Sequence, residues 1–136
     1  MTTVEQPSAA CPVSGASLER SPEAAVHARG MARAFLGTLP RQVPREAAEA
    51  VSLVVSELVT NVVRHARGRL CSVDLRYVGH GVGISVSDDD PEPPRQRRLD
   101  LTGKGGFGWP LVRRLSSELT VLARADGKTV HAVVSF

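Results

Sequence analysis

Three groups of residues in this chain have types and spacings that could do chemistry. The first is Glu57, Asn61 and His65, which recur every four positions in Val51-Ser52-Leu53-Val54-Val55-Ser56-Glu57-Leu58-Val59-Thr60-Asn61-Val62-Val63-Arg64-His65-Ala66. That spacing stacks side chains along one stripe of a helix. An Asn amide oxygen is a hard ligand suited to Mg²⁺, and a Glu one turn away can orient or deprotonate an attacking hydroxyl. A solvated stripe on an amphipathic helix has the same spacing. The second is Asp88, which closes Ile84-Ser85-Val86-Ser87-Asp88. A carboxylate at a strand end can accept a hydrogen bond from an exocyclic amine such as that of adenine. Asp89 and Asp90 follow directly, so a metal-binding acidic cluster and a solvated turn are the other readings. The third is Gly103-Lys104-Gly105-Gly106-Phe107-Gly108, running into Trp109-Pro110. Glycines let backbone amides approach phosphate oxygens, and a helix N-terminus favours anions there. The spacing is neither that of a P-loop nor that of a dinucleotide fingerprint, and a flexible linker has the same composition.

The surrounding pattern supplies elements to hold these groups. Ser21-Pro22-Glu23 is a helix-start signal, with Ser21 as N-cap, and the helix should reach about residue 36. Its inward positions would be Ala25, Val26, Ala28, Ala32, Phe35 and Leu36. Pro44 opens a second helix expected to end near Gly68, with Val51, Val55, Leu58 and Val62 as its apolar face. Beyond it Cys71, Val73, Leu75 and Tyr77 alternate with polar residues as a half-buried strand requires. Gly79-His80-Gly81 makes a hairpin turn, and Val82, Ile84 and Val86 alternate in a second strand. Residues 89–105 have no apolar period, and a loop of that length in a small domain is usually functional. A helix over 109–117 follows, then strands over 119–124 and 129–136 joined at Ala125-Asp126-Gly127-Lys128. Residues 1–17 lack periodicity and are read as a flexible tail ahead of one domain over 18–136. This order implies a two-layer α/β (α+β) sandwich, its mixed, mainly antiparallel sheet covered by helices on one face.

Bulk properties narrow the function classes. The 136 residues suffice for one core, and 17 Lys and Arg against 14 Asp and Glu give a net charge of +3. That excess mildly favours anionic partners. Aromatics make up only 4% and no nucleic-acid motif is present, which argues against a nucleic-acid binder. No apolar run approaches the roughly 18 to 20 residues of a membrane span, and no basic leader precedes an apolar stretch. The expected setting is therefore cytoplasmic and off the membrane. Cys11 and Cys71 have no metal spacing and read as reduced thiols.

Taken in order, the three groups carry a resemblance. The stretch from Glu57 to Ala66 resembles the N box of the GHKL (Bergerat-fold) ATPase superfamily. Ile84-Ser85-Val86-Ser87-Asp88 is similar to the strand leading to its adenine-binding Asp. Gly106-Phe107-Gly108-Trp109-Pro110-Leu111-Val112 resembles its Gly-x-Gly-Leu-x-Leu-Val phosphate loop. The similarity spans roughly residues 20–136, is most specific at the N box, and points to the anti-sigma-factor serine kinases, a histidine-kinase-like ATPase branch. It implies a Bergerat-type sandwich binding ATP and Mg²⁺ beneath a lid at residues 89–105. Asn61 would chelate Mg²⁺, Glu57 would be the catalytic base and Asp88 would read adenine. Gly106 and Gly108 would hold phosphates, Lys104 could reach a phosphate from the lid or be a solvated side chain, and Arg64 and His65 would give supporting packing. Implied partners are a sigma factor and a small anti-sigma-factor antagonist of the sulfate-transporter and anti-sigma-antagonist type, and a homodimer is admitted. The family's Asp-x-Gly-x-Gly is here Asp88-Asp89-Asp90-Pro91-Glu92, without glycine. Two readings stay open: a protein serine/threonine kinase, or a non-catalytic interaction module of the same fold with weak or lost nucleotide binding.

Overall fold

The computed structural model describes residues 12–65, 68–90 and 108–136. Two long helices supply most of the helical layer. Helix α1 (Ala24–Leu36) buries Ala24, Ala28, Ala32 and Phe35, and α2 (Arg45–His65) buries Ala47, Val51, Val54, Val55, Leu58, Val59 and Val62. The apolar face expected on α2 is therefore the one that packs. Alanines at four-residue spacing keep the α1 surface low, so the branched α2 side chains can approach its backbone. The start of α1 differs from expectation. The Ser21 carbonyl accepts a hydrogen bond from the Ala24 N–H at 3.0 Å, and no side chain caps the helix. Val26, expected inside, is 57% exposed. It lies two residues from both Ala24 and Ala28, about 200° away around the helix.

Five strands form one open sheet: β1 (Val13–Glu19), β2 (Leu70–Tyr77), β3 (Gly81–Asp88), β4 (Glu118–Arg124) and β5 (Gly127–Ser135). Their spatial order is β1-β2-β3-β5-β4, and every pairing is antiparallel. Cys71, Val73 and Leu75 of β2, Val82, Ile84 and Val86 of β3, and Val130, Ala132 and Val134 of β5 are buried together with the helices. Period-two alternation sends their neighbours to the other face. There Asp74, Ser85 and His131 are successive cross-strand partners, and Ser85 Oγ lies 2.8 Å from His131 Nδ1.

Strand β1 corrects the expected tail, because residues 13–17 belong to the sheet and pair with β2 from Val13 opposite Arg76 to Glu19 opposite Leu70. The third helix, α3 (Gly108–Leu115), packs on α2 through Val112, which is fully buried, and Trp109, which is 8% exposed. Among the described residues no helix is long and apolar enough to cross a membrane.

Candidate functional site

Asn61 and His65 of the first group and Asp88 of the second meet where α2 crosses the end of β3. Leu58, Asn61, Val62 and His65 come from α2, Val86 and Asp88 from β3, and Lys128 and Val130 from β5; together they line one cleft. The α2 residues follow the i, i+3, i+4, i+7 rule for one helical face. The strand residues share the inward face of the sheet, two positions apart on each strand. The C-terminal end of α2 is held by Arg20, whose guanidinium donates to the carbonyls of Val63 and Gly68, each at 2.8 Å. Those carbonyls lie at and beyond the last helical turn, where intrahelical partners run out. Asn61 and His65 are thus presented from a fastened helix end. His65, expected only to pack, borders the cleft itself. Glu57 sits one turn before Asn61, half-buried and outside the cleft lining.

Asp88 is the floor of the cleft, and only 1% of its side chain is exposed. Its Oδ1 accepts from the Asp90 backbone N–H at 3.1 Å, an Asx turn that folds the chain back on leaving the strand. Its Oδ2 accepts from Lys128 Nζ at 2.5 Å. Asp88 and Lys128 are direct cross-strand partners in the β3–β5 ladder, so the pairing register itself sets the acid opposite the base. The turn before Lys128 is built around Gly127, whose φ is +154°. A Cβ at Gly127 would fall against the Asp88 carbonyl oxygen, so only glycine lets the turn lie this close. Arg124 Nη2 donates to the same carbonyl at 3.4 Å, and its Nη1 donates to Thr129 Oγ1. Ser87 Oγ and Thr129 Oγ1 lie 2.8 Å apart and tie the two strands beside the cleft.

The run Asp88-Asp89-Asp90 is not a metal cluster: among the described residues no group of His, Cys, Asp and Glu is arranged to hold a metal ion. Asp89 turns away and accepts from the Leu70 N–H at 3.3 Å, and Asp90 is buried. Lys104, Gly106 and nearly all of the expected lid lie outside the described residues, while Gly108 opens α3.

The negative charge of Asp88 reaches Cys71, its partner on β2. Burial first, and the Asp88 carboxylate second, push the Cys71 thiol up from 9.0 to about 11. A raised thiol pKa means that the fold favours the protonated form. The stabilisation is complete below pH 9 and is lost as pH climbs through about 11. At pH 8 iodoacetamide should therefore leave Cys71 unmodified in the folded protein and label it readily in denaturant, read by peptide mass. Labelling of folded protein at the denatured rate would contradict this environment.

A family model described as a histidine kinase-like ATPase domain matches residues 18–134. The chain belongs to the histidine kinase-like ATPase family. Two solved structures are similar to it. The RsbU and RsbW domains of a Mycobacterium tuberculosis protein match with TM-score 0.65 and 22% identity, over 91% of this chain and 32% of that one. The histidine kinase domain of a blue-light-activated histidine kinase from Erythrobacter litoralis matches with TM-score 0.50 and 31% identity, over 68% of this chain and 46% of that one. This chain therefore spans less than half the length of either solved chain. Among curated protein sequences no significant match was found. Within this histidine kinase-like ATPase the residue that sequence reasoning missed is Lys128. Read along the chain it is one more residue of a hairpin turn. The available signal was its place just after Gly127 in a strand that had to pair with β3.

Proposed function

We propose that this histidine kinase-like ATPase binds Mg-ATP in the cleft between α2 and the β3–β5 ladder. It then phosphorylates a serine or threonine of an anti-sigma-factor antagonist and sequesters a sigma factor. The observation that carries the nucleotide reading is the convergence of Asn61 and Asp88 on one cleft whose remaining walls are largely apolar. A purine fits such a lining in chemical kind: Leu58, Val62, Val86 and Val130 suit its faces, and a buried carboxylate suits an exocyclic amine. Asn61 would hold the metal and Asp88 would accept from the base. Glu57, one turn along α2, would take the proton of an incoming hydroxyl. Mg-ATP supplies the phosphoryl group and the cation that spreads its charge. The antagonist and the sigma factor rest on the resemblance to anti-sigma-factor kinases.

A second reading, an interaction module that has lost turnover, is favoured by one observation. Lys128 already engages Asp88, so the carboxylate meant for a base has a resident partner. Titration separates the two. Trp109 is the sole tryptophan and the second residue of α3. Mg-ATP should change its emission and release binding heat. Silence in both measurements at millimolar nucleotide would leave only the module.

A further inference from the structure

Resting on the nucleotide reading of the cleft, we infer that Lys128 is a built-in stopper of the base pocket: its ammonium occupies the carboxylate oxygen that an exocyclic amine would use. The Lys128 side chain is only 16% exposed, and its Nζ is 2.5 Å from Asp88 Oδ2. The other carboxylate oxygen is committed to the Asp90 N–H. Asp88 therefore enters any encounter with a base with both oxygens engaged. The contact with Lys128 joins two ionised groups, whereas an exocyclic amine would bring only a neutral donor to the same carboxylate. The lysine also lines the cleft beside Asp88, so its side chain takes up space next to that carboxylate. A base enters only when Lys128 swings outward, as its long stem and position at the cleft edge allow. The apparent affinity is then the intrinsic affinity multiplied by the fraction of molecules with the pocket open.

The stopper is held in place by its surroundings. Gly127 sets the turn against the Asp88 carbonyl, and Arg124 grips that carbonyl from the same turn. A residue two positions along β5 would face the cleft from Val130, too far along the strand to meet Asp88, and position 129 faces the opposite side of the sheet. Only position 128 combines the register with the direction.

The probe is adenosine, which has the base and no phosphate, titrated by calorimetry beside Mg-ATP. Lys128→Ala should bind adenosine at least about tenfold tighter than wild type, because removing the lysine frees both the carboxylate oxygen and the space. Lys128→Arg, which keeps charge and bulk, should stay within about threefold of wild type. Equal adenosine affinity in wild type and Lys128→Ala would overturn the stopper while leaving the nucleotide reading intact. So would weaker Mg-ATP binding with adenosine unchanged, which would make Lys128 a phosphate ligand. No binding of either compound to any of the three proteins would remove the nucleotide reading and the stopper with it. Should Lys128→Ala fail to fold, ¹⁵N-lysine NMR of wild type decides. The Lys128 ammonium resonance must shift and broaden as adenosine saturates the site, and a resonance indifferent to saturation would overturn the proposal.

Discussion

Glu57→Gln should reduce phosphoryl transfer by about 10²- to 10⁴-fold while leaving Mg-ATP affinity within a few-fold of wild type. The substitution is nearly isosteric, and Glu57 lies on the half-buried flank of α2, outside the packed face made by Val51, Val55, Leu58 and Val62. Helix and cleft should therefore survive the change, and the loss isolates proton removal from binding. The assay is transfer from labelled ATP to small anti-sigma-factor antagonists, read as a mass shift on serine or threonine. Undiminished transfer would exclude Glu57 from the mechanism. Confirmed nucleotide binding and sigma-factor capture with no transfer to any antagonist would favour the non-catalytic module.

The second large effect concerns stability. Asp88→Ala removes the partner of an ammonium that is mostly buried, together with the acceptor of the Asp90 N–H. Breaking a buried pair by deleting one member typically costs about 3–5 kcal/mol. Here the lysine can reach water, so a loss of about 2–3 kcal/mol is expected. Against a total of about 5–15 kcal/mol that is a substantial share, visible as a lower urea midpoint at an unchanged slope. The double variant Asp88→Ala, Lys128→Ala should recover part of the loss, because no unpaired charge remains. Strictly additive losses in the double-mutant cycle would show that the two side chains do not depend on each other.

Much of this arrangement was legible in the chain, and the reasons differ by element. Helix α2 and strands β2 and β3 bury regular stripes, so their periodicity survives as a pattern of valines and leucines. Asn61 and Asp88 could be placed because each sits at a fixed offset within such a stripe. Strand β1 could not be read. Its residues Val13-Ser14-Gly15-Ala16-Ser17-Leu18-Glu19 are mostly small and exposed, and only Leu18 packs against the core. That edge strand exists because β2 offers it a hydrogen-bonding row, which is a tertiary cause. Position 26 was misplaced for a related reason: valine is apolar wherever it lies, and only the position of α1 against α2 decides that this one faces water. Lys128 was invisible as a site residue because its meaning is a register, Asp88 opposite Lys128, and register is a property of two strands at once.

The strand order also bears on how the chain folds. Strands β2 and β3 are joined by a tight turn, as are β4 and β5, so each pair can form as a local hairpin within roughly 1–10 μs. The contact between β3 and β5 is different, for it unites two hairpins whose meeting residues, Asp88 and Lys128, stand 40 positions apart. Closing that intervening length costs chain entropy before the ladder repays it, as does the still longer closure that sets β1 against β2. The ion pair at the floor of the cleft is the terminal rung of that ladder. The carboxylate proposed to read the base thus lies on the seam between the two hairpins, and it meets its lysine only once those hairpins have joined.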